Sequence, residues 1–197
     1  MDDTKAALLT RLQGLRRDLL FKLDGLDEYQ VRRPMTPTGT NLLGLVKHTA
    51  SVELGYFTEV FGRDPGWELP WFAGDAEPDA DLWVTPGESR QDILDLHHHS
   101  ARVSDATITQ LPLDAPGEVP WWPPERRRVT LAQILTHMLV ETARHTGQAD
   151  IVRESIDARA GLGADDQNLT PRTPAQWQEH VARIEAAARA AVERGQE

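Results

Sequence analysis

The chain has 197 residues, a formal charge of −10 and no cysteine. That length suits one domain, 1–197, with a core of its own, and the absent cysteine excludes disulfides, thiolate metal sites and a cysteine nucleophile. The acidic balance argues against phosphate backbones, so no nucleic-acid partner is expected, and Arg126, Arg127 and Arg128 read as a solvated lead-in to a helix.

In chain order, the segment 3–26 carries Leu8, Leu9, Leu12, Leu15, Leu19, Leu20 and Leu23 at three- and four-residue intervals, which predicts an amphipathic helix ending near Gly25. Its opening, MDDTKAALL, lacks the basic and unbroken apolar stretches of an export signal, and no window of the chain approaches a membrane-spanning length. A cytoplasmic chain with no membrane partner is expected. Pro34, Pro37 and Gly39 break the pattern, and Thr38 or Thr40 can cap a second helix, NLLGLVKHTASVELGYFTEVF, that ends near Phe61 and Gly62. The stretch 63–87 is rich in Pro, Gly, Asp and Trp, too long for a turn and too aromatic for a linker, so it reads as an ordered crossover. Helical spacing returns over 88–111, a second connection with Trp121 and Trp122 follows, and Thr130 caps a long helix over 129–157. Thr173 and Pro174 open a last helix that runs to about Arg194. No strand is expected. The pattern predicts an all-α fold, a four-helix bundle with long crossover connections plus a C-terminal helix.

The long helix carries the chemistry. Leu131, Ile134, Leu135, Met138, Leu139, Ala143, Ala149, Ile151 and Val152 form its apolar stripe, and His137, Glu141 and His145 stack beside it at successive four-residue steps. One helix rarely closes a metal site, because the donors must come from more than one direction. Of seven histidines, His48 is the only other one embedded in a strongly apolar segment. Bundle metal sites are built from facing helices, which suits His48 opposite Glu141 and His145.

The runs LLGLVKHTASVE, WW before VTLAQILTHM, and above all HMLVETARHTGQADIVRE resemble the DinB/YfiT-like superfamily, in its mini-circle-protein-like branch. The resemblance spans nearly the whole chain. It implies a four-helix bundle with a divalent metal held by one histidine of the second helix and two ligands four residues apart on a later helix, here His48, Glu141 and His145. Many members have histidine where this chain has Glu141, while the mycothiol-dependent maleylpyruvate isomerase domain is similar in using a carboxylate there. That isomerase and its relatives imply transfer of a low-molecular-weight thiol, and the superfamily implies a homodimer.

Three protein ligands leave a position open for chemistry, and two histidines with a carboxylate suit zinc best, with nickel, manganese or iron also compatible. A thiol has to arrive as a cosubstrate, since the chain has none. His137 reads either as a packing residue beside the site or as its general base, and basic residues near the site, Arg144 or Arg153, would favour an acidic substrate. Asp150 and Arg153 either orient a ligand or pack helices. Of His97, His98 and His99, consecutive residues that point in different directions, one is expected to face inward. The tryptophans anchor loops or roof a pocket. Two functions follow: a metal-dependent transferase or hydrolase acting on a small electrophile, or a non-catalytic metal-containing bundle for small-molecule sensing.

Overall fold

The computed structural model describes residues 3–163, 166 and 169–194 and is mostly helical. The chain divides into two compact units, Met1–Gly163, which holds every residue of the candidate site, and Ala164–Glu197. In the first, α1 (Asp3–Phe21) is followed by the short α2 (Glu28–Arg32), α3 (Leu42–Phe57), α4 (Arg90–Gln110) and α5 (Leu131–Asp157). The long helices pack α1 on α5, α5 on α3, α3 on α4 and α4 back on α1. In the second, α6 (Pro174–Arg194) begins at the expected place, with Thr173 Oγ1 accepting from Gln176 N at 3.3 Å and the Gln176 side chain accepting from Thr173 N at 2.8 Å.

The boundaries follow from local chemistry. α1 stops five residues short of the expected 26, because turns begin at Lys22 and Gly25 sits at φ 75°, a left-handed conformation that costs glycine little. α2 is one turn nucleated by an Asp27/Gln30 capping box and is too short for periodicity to reveal. Asn41, rather than Thr38 or Thr40, caps α3: its Oδ1 accepts from Gly44 N at 2.7 Å. α3 itself is buried almost all round, as its apolar composition requires. Ser89 caps α4, and Thr130 caps α5 as expected, each through a reciprocal capping box.

Two strands correct the expectation of none. β1 (Pro116–Glu118) pairs antiparallel with β2 (Arg128–Thr130), joining the second connection to the start of α5. Three-residue strands carry no period-2 signal, and this pair depends on Gly117, where a Cβ would come within 2.8 Å of Val60 Cγ1 and 2.9 Å of the Val60 carbonyl oxygen.

The core has two large apolar halves and a small third cluster of Ala50, Leu54 and Leu96 on α3 and α4. One half gathers Leu9, Leu12, Phe57, Ile108, Ile134 and Met138; the other gathers Leu19, Leu43, Val46, Ile93, Ala149 and Val152. On each of the four long helices the sequence between these halves turns polar: Arg16 on α1, Glu53 on α3, His97, Ser100 and Ser104 on α4, and Thr142 and Thr146 on α5 are all buried. Arg16 donates from Nε to Glu53 at 2.9 Å and from Nη1 to Asp105 at 2.6 Å, so the buried charges are paired.

His97 is the inward member of the histidine run, 6 % exposed, and its Nδ1 has no hydrogen-bond partner among the described residues. Burial, reinforced by the charge of Arg16 and by His98, depresses its pKa from 6.5 to about 3. The folded protein therefore keeps His97 neutral where an unfolded chain protonates it, so this contribution is complete above the ordinary imidazole value and is lost as pH falls toward the folded one. Going from about pH 7 to about pH 4.5, the linkage should cost on the order of 2 kcal/mol, and His97→Leu should abolish that part of the acid sensitivity. Urea midpoints of both proteins at the two pH values measure it; equal losses would assign the slope to other groups.

Candidate metal centre

α3 and α5 run antiparallel, so residues climbing one helix meet residues descending the other. His48 lies opposite Glu141 and His145, while Tyr56, two turns further along α3, meets His137, two turns earlier on α5, with ring centroids 4.8 Å apart. The ligating atoms of His48, Glu141 and His145 lie within 4.8 Å of one another, and among the described residues this is the group that could hold a metal ion. Glu141 Oε1 stands 3.4 Å from His48 Nε2 and 2.9 Å from His145 Nε2. The imidazole centroids are 4.7 Å apart, with planes at 73°.

The other ring nitrogens explain why these atoms converge. His48 Nδ1 donates to Asp81 Oδ2 at 2.6 Å, and His145 Nδ1 donates to Gln148 Oε1 at 2.7 Å. With each Nδ1 donating outward, each Nε2 faces the Glu141 carboxylate, as a lone pair in the neutral ring or as a second N–H in the protonated one. The three groups hold together when positive charge lies among them, whether a ring proton or a cation. The electrostatics agree: burial opposes it, but hydrogen bonds to Asp81 and Glu141 raise the His48 pKa above its ordinary value. Glu141 and Asp81 are lowered against the same opposing burial, Glu141 by His145 and then His48, Asp81 by His48 and Lys47. Two nitrogens and a carboxylate, with a carboxylate behind one histidine and an amide behind the other, fit a divalent cation of the zinc type.

Asp81 and Gln148 were not legible as site residues. Gln148 had a weak signal, since it lies three residues after His145 on the same helix. Asp81 had none, because it lies in the crossover 63–89, where spacing encodes nothing about direction. Its placement comes from α3. A Cβ at Gly44 would overlap the Leu82 carbonyl oxygen, so only glycine lets the crossover backbone lie on the helix here. Asn41 Nδ2 donates to that oxygen at 3.1 Å, and Lys47 Nζ donates to Ala80 O at 2.9 Å and Trp83 O at 3.0 Å. The carbonyls on both sides of Asp81 are thus pinned to α3, and its carboxylate falls on His48.

Other expected residues go elsewhere. His137 is half-buried, one turn from Glu141, and packs edge-on against Tyr56 and Trp122. Arg153 donates to Asp157 and to Lys22 O, and Asp150 pairs with Lys22 at 2.7 Å, so both fasten the end of α1 to α5 rather than touching the triad. Arg144 is exposed. His99 donates to Pro65 O at 2.6 Å and anchors the crossover. Two expected members of the α5 stripe, Ala143 and Ile151, face solvent, and Thr142 and Thr146 are buried instead.

Asp81→Ala should lower zinc affinity by about 10- to 100-fold while leaving the helical signal unchanged, because His48 loses the group that fixes its tautomer. Gly44→Ala should lower both zinc affinity and the melting temperature, since the backbone on either side of Asp81 must lift away. Competition titration against a chromophoric chelator reads the affinities; unchanged values in both variants would show that the crossover does not orient His48.

A comparison with curated proteins finds no match. A family model described as mycothiol-S-transferase matches residues 7–158, a span that contains most of α1, all of α2 to α5 and all three residues of the triad. With that match over most of its length, and within the DinB/YfiT-like superfamily that its motifs resemble, the chain belongs to the mycothiol-S-transferase family.

Proposed function

We propose that the protein is a metal-dependent transferase that moves a low-molecular-weight thiol, mycothiol or a close analogue, onto a small electrophile. The observation that carries this reading is the convergence of two Nε2 lone pairs and a carboxylate at the edge of a cleft that His48 and Asp81 line. Three protein ligands leave room for a fourth from outside, as in catalytic rather than structural sites. We take the four long helices as the four-helix bundle of the superfamily, His48, Glu141 and His145 as ligands, and zinc as the ion the donor set suits best. A cytoplasmic homodimer is part of the proposal, supported by Val140 and Ile151, each 65 % exposed on α5. Among the described residues no helix is long and apolar enough to cross a membrane.

When bound, the metal supplies the Lewis acidity that keeps a thiol as thiolate near neutral pH. The chain's own groups do the rest. Asp81 and Gln148 hold the two imidazoles in the tautomer whose Nε2 faces the ion, and Glu141 offsets its charge. Overall, the S–H bond of the thiol breaks and an S–C bond to the electrophile forms. The displaced group leaves with the electron pair of its own bond, and the thiol proton passes to solvent or to that group. His137, one turn from Glu141, is our candidate for relaying the proton through water.

His145→Ala should remove most of the bound metal, read by elemental analysis, while circular dichroism stays helical. His137→Gln should keep the metal and lower thiol-dependent turnover by about tenfold or more; a lower melting temperature with normal turnover would make it a packing residue. Metal content equal to wild type in His145→Ala would overturn the triad. Metal-loaded protein that neither turns over nor binds the thiol by calorimetry would make the bundle a non-catalytic binding protein.

A further inference from the structure

The cleft beside His48 encloses ≈ 700 Å3, enough for a small organic molecule. Its walls include Val52 and Tyr56 from α3, Trp67, Leu69 and Phe72 from the crossover, and Trp121 from the second connection. Of the two carboxylates that line it, Asp81 accepts from His48, itself a lining residue, at 2.6 Å, which leaves Glu59 exposed, and neither lysine nor arginine is among its lining residues. The buried cation of α3, Lys47, is paired with Glu88 at 2.7 Å and covered by the Trp71 ring at 4.1 Å, so its charge is satisfied away from the cavity. Arg153 is held by Asp157. An anionic molecule entering this space would lose water to apolar walls and meet Glu59 with no lysine or arginine on the lining to pair with.

Tyr56 adds direction. Its hydroxyl accepts from Trp122 Nε1 at 3.0 Å and from Trp121 Nε1 at 3.4 Å. A phenol oxygen has two lone pairs and one hydrogen, so two indole donors occupy its accepting side and leave the hydrogen to point elsewhere. Among the described residues no acceptor takes it, and Tyr56 lines the cavity. Eight residues of α3 separate Tyr56 from His48, a rise of about 12 Å. Tyr56 thus joins the cavity two turns of α3 beyond His48, with its ring against His137.

We propose that this cleft binds an uncharged, aromatic-bodied molecule bearing a hydrogen-bond acceptor at its distal end, that the Tyr56 hydroxyl donates to that acceptor, and that Glu59 helps reject carboxylates. Naming this molecule as the electrophile rests on the thiol-transfer reading; the binding preference itself does not. Coumarin and coumarin-3-carboxylate form a matched neutral and anionic pair, and naphthalene supplies the same bicyclic body without an acceptor. Calorimetry on the full chain, freed of any metal by chelator so that a carboxylate finds no open coordination position, should show coumarin binding about tenfold or more tighter than its carboxylate, with Glu59→Gln narrowing the gap. Tyr56→Phe should weaken coumarin by about fivefold to tenfold and leave naphthalene unchanged, a pattern that general loosening of the site would not produce. Equal binding of coumarin and its carboxylate, or equal loss of coumarin and naphthalene in Tyr56→Phe, overturns the inference. Since none of these readings needs metal or turnover, a protein that holds no metal yet shows the preference keeps this inference and loses only the reading above. A protein active with thiol but indifferent to ligand charge does the reverse.

Discussion

Two imidazole lone pairs and a carboxylate cannot occupy one small volume by themselves. Each is an acceptor, each is partly withdrawn from water, and nothing in their mutual geometry attracts unless positive charge is shared among them. The protein nevertheless commits three hydrogen-bonding groups to keeping them there: Asp81 behind His48, Gln148 behind His145, and Glu141 between both rings. A proton on an imidazole supplies that charge, and a cation held by all three groups would supply more of it.

The rest of the first unit is arranged around this centre. Between its two apolar halves runs a polar level to which every long helix contributes, with Arg16, Glu53 and Asp105 paired across three helices. A helix displaced by one turn would separate these paired charges, so the polar level fixes the register of α1, α3 and α4. The crossover is fixed as firmly. Gly44, Asn41 and Lys47 hold its backbone on the first turns of α3, which makes a loop residue as well placed as a helical one.

What the sequence made legible and what it hid divide along physical lines. Glu141 and His145 could be read because helical spacing states direction, and His48 because an isolated polar residue in an apolar helix needs a reason. Thr130 and Thr173 could be read as caps from their local pattern. Asn41 could not be told from its neighbours Thr38 and Thr40, since both residue types cap and only the tertiary position of the loop decides. The inward face of α5 was displaced in part: Ala143 and Ile151 turned out exposed and two threonines buried, because the face is set by the polar level and not by hydrophobicity alone. Asp81, Tyr56 as a directed donor, and the two short strands arise from contacts between segments far apart in sequence, which periodicity does not encode.

The span of those contacts bears on how the protein comes to be folded. His48 and Glu141 are 93 residues apart, and Asp81 lies between them in the chain, so none of the three meets another until α3, the crossover and α5 have docked. Of the triad, an unfolded chain brings together only the neighbouring pair Glu141 and His145. Whatever ion binds the completed centre therefore favours the native ensemble by mass action, and draws on the final docking step rather than on the formation of any one helix.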